Sequence, residues 1–266
     1  MLTLNKSEIE QQVLNFISKN EKEEEDSSDD LREIELFCKC MLGYVDLESI
    51  EKYECSLLNK LYQKYQVNNL AELIHQIKWN YKQDFKTLIR IIDHFPIPKE
   101  VEEQLRYTDD RIDQAFVHKK SHSNVLLSHP IRVGHTLFYR NFDQSDEFII
   151  DHSSDHLEGI VLFEVIRQAG LASTHHCGIA MDGVSVILES DIQYQNYIEL
   201  NVPYYTQCIP AIRSNGGIGF SVFRVIQNDM VCAKGFFRAL VYKDRVAYEK
   251  QRLKLAESDF KKTMQN

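Results

Sequence analysis

Through the first hundred positions the apolar residues recur at helical spacing. Ile9, Val13 and Phe16 mark a helix over residues 4–17, and Ile34, Leu36, Phe37 and Met41 mark one over 31–42. Leu57, Leu58, Leu61 and Tyr62 predict a helix over 50–65; Leu73, Ile74, Ile77, Phe85, Leu88 and Ile89 predict another over 70–92. No stretch here alternates cleanly enough for a strand. Pro96 and Pro98 then break the pattern. Residues 1–105 read as a helical domain, a bundle or a cover for the rest.

The period changes after about residue 115. Val125-Leu126-Leu127 begins a β-type run, followed by residues 136–139 and 147–150. A long apolar helix over 157–173 comes next. Strands are predicted over 184–188, 204–212, 219–225 and 231–242. Ser214-Asn215-Gly216-Gly217 supplies a hairpin turn and Asn228-Asp229 another. A charged helix over 246–263 closes the chain, with Tyr248, Leu253 and Phe260 on one face. Short strands, one buried helix and a strand meander predict an α+β domain over 106–245, an antiparallel sheet around one helix. Residues 246–266 form a C-terminal helix. There is no βαβ alternation. Gly216-Gly217-Ile218-Gly219 lies between strands and reads as a hairpin, not a phosphate cradle.

Composition narrows the classes. The 266 residues carry a net charge of −9, which argues against affinity drawn from nucleic-acid phosphates. No apolar run is long enough for a transmembrane helix, and residues 1–6 lack the basic-then-apolar order of a signal peptide. Residues 21–30 hold seven acids against Lys22 alone, so two-thirds of the net charge sits in one block. That block, residues 20–30, reads as a solvated acidic linker. The six cysteines, without a secretion signal, read as free thiols of a reducing cytosol, and a cytoplasmic location is expected. Cys38 and Cys40 have no matching pair at zinc-finger spacing. His175-His176-Cys177 has ligand-type residues, but adjacent side chains do not converge easily, so neither group is read as a metal site. No cofactor is called for. Phe220, Phe223, Phe236 and Phe237 read as core rather than a stacking platform.

The chemistry concentrates in residues 151–169. Asp151, His152, Asp155 and His156 fall within six positions, just ahead of the apolar helix. Ile160, Val161, Leu162, Phe163, Val165 and Ile166 point in every direction, which predicts burial all round. Glu164, Arg167 and Gln168 interrupt it at i, i+3 and i+4, so they share a face. They form either an ion pair that fixes the helix or a polar pocket for a substrate group. The helix N-terminus offers free backbone N–H groups, and Gly159 there lets a thioester or oxyanion approach closely. His152 and His156 suit general-base work near neutral pH, with Asp155 to orient an imidazole. Their alternative duty is at the surface or in capping, with Asp155 as the cap. Glu164 is a second acid/base candidate if burial raises its pKa.

This run, Asp-His-x-x-Asp-His-Leu-x-Gly-x-x-Leu-x-Glu-x-x-Arg-Gln-Ala, resembles the A-factor biosynthesis hotdog domain family. His118 in Val117-His118-Lys119, followed by Val125-Leu126-Leu127-Ser128, resembles that domain's opening. The resemblance covers residues 115–245 in a single copy, although the family's prototypes carry two in tandem. It implies a hotdog fold and a homodimer completing the site. It also implies an acyltransferase on acyl thioesters, from acyl carrier protein or acyl-CoA. The prototype transfers a β-ketoacyl group to dihydroxyacetone phosphate. Other hotdogs are dehydratases or thioesterases, and a non-catalytic binding module is the third reading. His152, Asp155, His156 and Glu164 become the catalytic candidates. His118, Gly159, Arg167 and Gln168 become the substrate-binding ones, with Arg167 able to bind a phosphate or to pair with Glu164. Asp93-His94-Phe95-Pro96 is similar to the His-Phe-Pro of dehydratase hotdogs, but no Gly follows and Thr108 stands where their helical acid belongs.

Overall fold

The computed structural model describes residues 62–63, 66–68, 97–133, 136–148 and 154–263. The helices expected over 4–17, 31–42 and 70–92, and most of that over 50–65, lie outside these residues, as do the acidic block and Asp93–Pro96.

Six strands form one antiparallel sheet. They are β1 (Ile131–Val133), β2 (Thr136–Arg140), β3 (Val184–Tyr194), β4 (Tyr205–Ala211), β5 (Gly217–Gln227) and β6 (Met230–Tyr242). The order across the sheet is β1-β2-β4-β5-β6-β3, so β3 returns to the far edge beside β6. Helix α1 (Lys99–Arg106) precedes the sheet, α2 (Gly159–His176) lies between β2 and β3, and α3 (Arg245–Thr263) follows β6.

Local chemistry explains the turns. Asn228 and Asp229 both take positive φ, at 51° and 60°, the geometry of a tight primed hairpin between β5 and β6. Gly216 and Gly217, at 84° and 105°, turn β4 into β5. Gly235 is required for closeness: a Cβ there would lie 1.9 Å from the Asp191 carbonyl oxygen on β3.

The main core lies between α2 and one sheet face. Leu162, Val165, Ile166 and Ala169 meet Leu137, Tyr139, Phe223 and Phe237. Fully burying a Leu, Val or Ile stabilises by about 1.5–3 kcal/mol each, enough to anchor a helix that also carries a carboxylate. Side chains alternate along a strand, so Phe138 points to the other face. There α1 covers it with Val101 and Leu105.

The observed elements depart from the expected ones at several points. The helix expected over 157–173 runs Gly159–His176, and it is not buried all round. Ile160 is 59% exposed, and Phe163, Arg167 and Gly170 on the same stripe are half-buried. The sheet wraps only part of the helix circumference, which leaves that stripe open. Val125–Leu127 is fully buried but forms no strand. It makes only an isolated bridge, Leu127 to Asn141, because Gln168 takes the Leu126 N–H. Glu147 and Phe148 form no strand either. β3 extends six residues past its expected end, and a bulge between Ile187 and Glu189 shifts its phase. Leu253 of α3 is exposed rather than packed, while Tyr248, earlier in the helix, meets Tyr242 of β6 edge to face. Among the described residues no helix is long and apolar enough to cross a membrane.

Candidate active site

Helix α2 organises two polar groups, one at its N-terminus and one a turn and a half further in. Leu157 N–H donates to the Ile198 carbonyl at 2.8 Å, and His156 bridges Glu199, so the chain enters the helix from a fixed point on the sheet. Glu158 occupies the N-cap without a side-chain cap bond, and the first intrahelical bond is Leu162 N–H to Glu158 O. The N–H groups of Gly159, Ile160 and Val161 therefore precede the helical ladder. Gly159 is exposed, and its carbonyl accepts from the Tyr194 hydroxyl at 3.3 Å.

His156 stands beside this end. Its Nδ1 lies 2.8 Å from Asp155 Oδ1, and its ring leans on Tyr197 at 4.8 Å. The bond from His156 lowers the pKa of Asp155, which is fully exposed. Asp155 is thus turned to the imidazole and does not cap the helix. An Nδ1–H held by a carboxylate leaves Nε2 as the basic nitrogen. His152 lies outside the described residues.

The second group is buried. Glu164 is 8% exposed, and both its oxygens are occupied. Arg167 donates from Nε to Oε2 at 2.6 Å and from Nη2 to Oε1 at 2.7 Å, a bidentate pair. Lys119 Nζ and Gln168 Nε2 also reach Oε1, at 2.8 and 3.0 Å. Burial alone would raise the Glu164 pKa, but the bonds from Arg167, Lys119 and Gln168 together outweigh it and bring it down to about 2. These partners hold Glu164 in its ionised form, against the rise that burial alone would bring. Its bond to Arg167 raises the guanidinium pKa in turn.

Gln168 is equally committed. Its Oε1 accepts the Leu126 N–H at 2.8 Å and its Nε2 donates to the Asn124 carbonyl at 2.9 Å. Lys119 also pairs with Glu147, so α2 holds two other segments through one polar cluster. His118 does not join these residues. It ends a 3-10 turn (Gln114–Val117) with φ 54°, and its Nε2 lies 3.0 Å from His175 Nε2. His175 is near the opposite end of α2, about 24 Å from Gly159 at a helical rise of ~1.5 Å per residue. His176 stacks on Phe116 at 5.0 Å. Among the described residues no group of three or more His, Cys, Asp and Glu is placed to hold a metal ion.

The structure thus brings Asp155, His156 and Gly159 together, and separately Glu164, Arg167 and Gln168. Lys119, Glu147, Tyr194 and Tyr197 were not expected. Lys119 directly follows His118, but no spacing links it to a helix 45 positions later.

An antiparallel sheet packed on one face against one long helix defines a hotdog fold. The model of the A-factor biosynthesis hotdog domain matches residues 102–243, over half of the chain, and the chain belongs to that family. No curated protein matches the sequence significantly. Among solved structures, the chain is similar to an uncharacterized protein from Pyrococcus horikoshii at 14% identity. That overlap covers 51% of this chain and 97% of the other, with a TM-score of 0.38. A thioesterase from Haemophilus influenzae overlaps at 9% identity, 43% and 77% coverage and a TM-score of 0.35. The PaaI protein from E. coli overlaps at 10% identity, 42% and 81% coverage and a TM-score of 0.34. Overlaps this loose carry no argument about chemistry.

Proposed function

We propose that this protein is an acyltransferase acting on acyl thioesters, carried by acyl carrier protein or coenzyme A. The observation that carries the reading is the pairing of an exposed α2 N-terminus, whose N-cap side chain makes no cap bond, with the Asp155–His156 dyad beside it. The N–H groups at Gly159 and Ile160 would donate to the thioester oxygen as negative charge develops on it. One such donor is worth about 10²–10³ in rate. His156 Nε2 would take the proton of an acceptor hydroxyl as its oxygen attacks the carbonyl carbon. Collapse breaks the C–S bond, and the imidazolium returns the proton to the departing thiolate. Asp155 holds the tautomer. Membership of the family favours a hydroxyl acceptor such as dihydroxyacetone phosphate.

The site is proposed to be completed by a second copy. β3 ends the sheet order with no strand beyond it among the described residues, and Val186, Ile187 and Leu188 on it are exposed, as are Ile160, Tyr194 and Tyr197 near the helix N-terminus. An apolar open edge of this kind is a pairing surface. Edge-to-edge pairing would set the partner's β3 close to Gly159.

A second reading, a hotdog that binds an acyl group without turnover, draws support from Glu164. Every oxygen of that carboxylate is spent within the fold. The two readings separate in one experiment. The protein is incubated with acyl-CoA and acyl carrier protein thioesters, with and without dihydroxyacetone phosphate, and products are followed by mass spectrometry. The proposal requires an ester product from wild type that His156→Ala abolishes. Tight acyl-thioester binding with no product from any donor would sink the acyltransferase and leave the binding module.

A further inference from the structure

The opposite end of α2 holds a cluster that the proposed chemistry does not use. His118 sits in a strap, residues 114–124, laid against the helix, while His175 is in the last turn of α2. Their Nε2 atoms face each other at 3.0 Å, and His175 Nδ1 lies 3.2 Å from the Ile179 carbonyl. His175 is buried. We propose that His118 and His175 form a proton-operated latch, which fastens the strap to the end of α2 and releases it in mild acid.

A proton count carries the inference. A carbonyl oxygen only accepts, so His175 Nδ1 carries a proton toward Ile179. A neutral His175 then offers a bare Nε2, and His118 must donate from its own Nε2. That uses the single proton of a neutral His118. One added proton is tolerated: His118 also contacts the Met181 backbone in the sense that favours a charged ring, and the α2 C-terminus favours one positive charge. A second proton has no place. It sets two N–H groups head to head at hydrogen-bond distance.

The surroundings sharpen this. Arg167 acts on His118 from α2. His176 faces Arg132 and His129 from β1 and the segment before it, and interacts with His175. The loop after α2 turns backbone groups toward the pair, at Ile179, Ala180 and Met181. Among the described residues no carboxylate acts on either ring to balance added charge. Burial lowers both imidazole pKa values, and for His118 the neighbouring His175 and Arg167 lower it further. The closed latch therefore binds fewer protons than the open one. Its stability is complete above the ordinary imidazole value near 6.5 and is lost as the pH falls below it. The strap also carries Lys119 and Asn124, which hold Glu164 and Gln168, so release would loosen the buried cluster of α2.

Hydrogen exchange read by mass spectrometry tests the latch in the full chain. Between about pH 7.5 and about pH 5, corrected for intrinsic exchange, protection in residues 114–124 is expected to fall by up to about tenfold per pH unit. Amides of β5 and β6 should hold. His118→Gln and His175→Gln should flatten the strap's slope. Strap protection that does not change with pH in wild type overturns the proposal without either variant. A variant that folds and keeps the wild-type slope overturns it as well. So does strap protection that rises on adding zinc ion alone, which would make the pair metal ligands.

Discussion

Replacing Glu164 by Gln removes one charge from the centre of a buried network and keeps the side-chain shape. The carboxyl falls from an ordinary value of 4.5 to about 2 in the folded chain. At about 1.4 kcal/mol per tenfold, that difference is worth about 3 kcal/mol at neutral pH. The substitution also turns an amide N–H₂ toward Arg167 or Lys119. Breaking one side of a buried pair costs about 3–5 kcal/mol, and the partial exposure of Arg167 moves the expectation to the low end. Glu164→Gln is therefore expected to lose about 2–3 kcal/mol in urea unfolding at pH 7. The sign with pH follows from the lowered value. Wild type keeps this stabilisation above about pH 4.5 and loses it as the pH falls toward about 2, while Glu164→Gln has none to lose there. The two curves should converge in acid. A variant within about 0.5 kcal/mol of wild type at pH 7, the ordinary range for surface changes, would refute the network as a determinant of stability. So would a gap that stays constant down to pH 3.

Asp155→Asn should leave the unfolding midpoint unchanged, because Asp155 is exposed. It should cut acyl transfer by at least tenfold by loosening the His156 tautomer, checked by initial rates on one acyl thioester. Gly235→Ala should lower stability by about 1–3 kcal/mol or more, since a Cβ would lie 1.9 Å from the Asp191 oxygen; thermal unfolding reads this directly. Ile187→Lys puts a charge on the exposed β3 edge. It should shift the light-scattering mass from two chains to one without changing the circular dichroism.

The parts of the fold legible in the sequence are those set by local rules. Asn228-Asp229 and Gly216-Gly217 announce their hairpins through backbone chemistry, and β4 to β6 follow from the runs between them. The apolar stretch before Arg167 announces α2. The hotdog reading rested on the fixed spacing from Asp151 to Ala169, which the family model bears out. What escaped was set at long range. Val125–Leu127 has strand composition, but its amide partner is the side chain of Gln168, 42 positions away. The open stripe of α2 depends on how far the sheet wraps, which no periodicity encodes. α1 starts immediately after Pro98, where the proline reads as a break although it serves as the N-cap. The Glu164 question stood open between ion pair and acid. Arg167 and Lys119 together hold the carboxylate's pKa down, and only the fold brings Lys119 to α2.

The central claim is chemistry at the α2 N-terminus, and single-turnover acyl transfer measures it most directly. Wild type, His156→Ala and Glu164→Gln are mixed with an acyl carrier protein thioester and dihydroxyacetone phosphate, and the ester formed is quantified by mass spectrometry. Ester is expected from wild type, with a fall of about 10²–10⁴ for His156→Ala. Glu164→Gln should keep its rate wherever it remains folded. Undiminished turnover by His156→Ala, or a loss confined to folded Glu164→Gln, would contradict the claim.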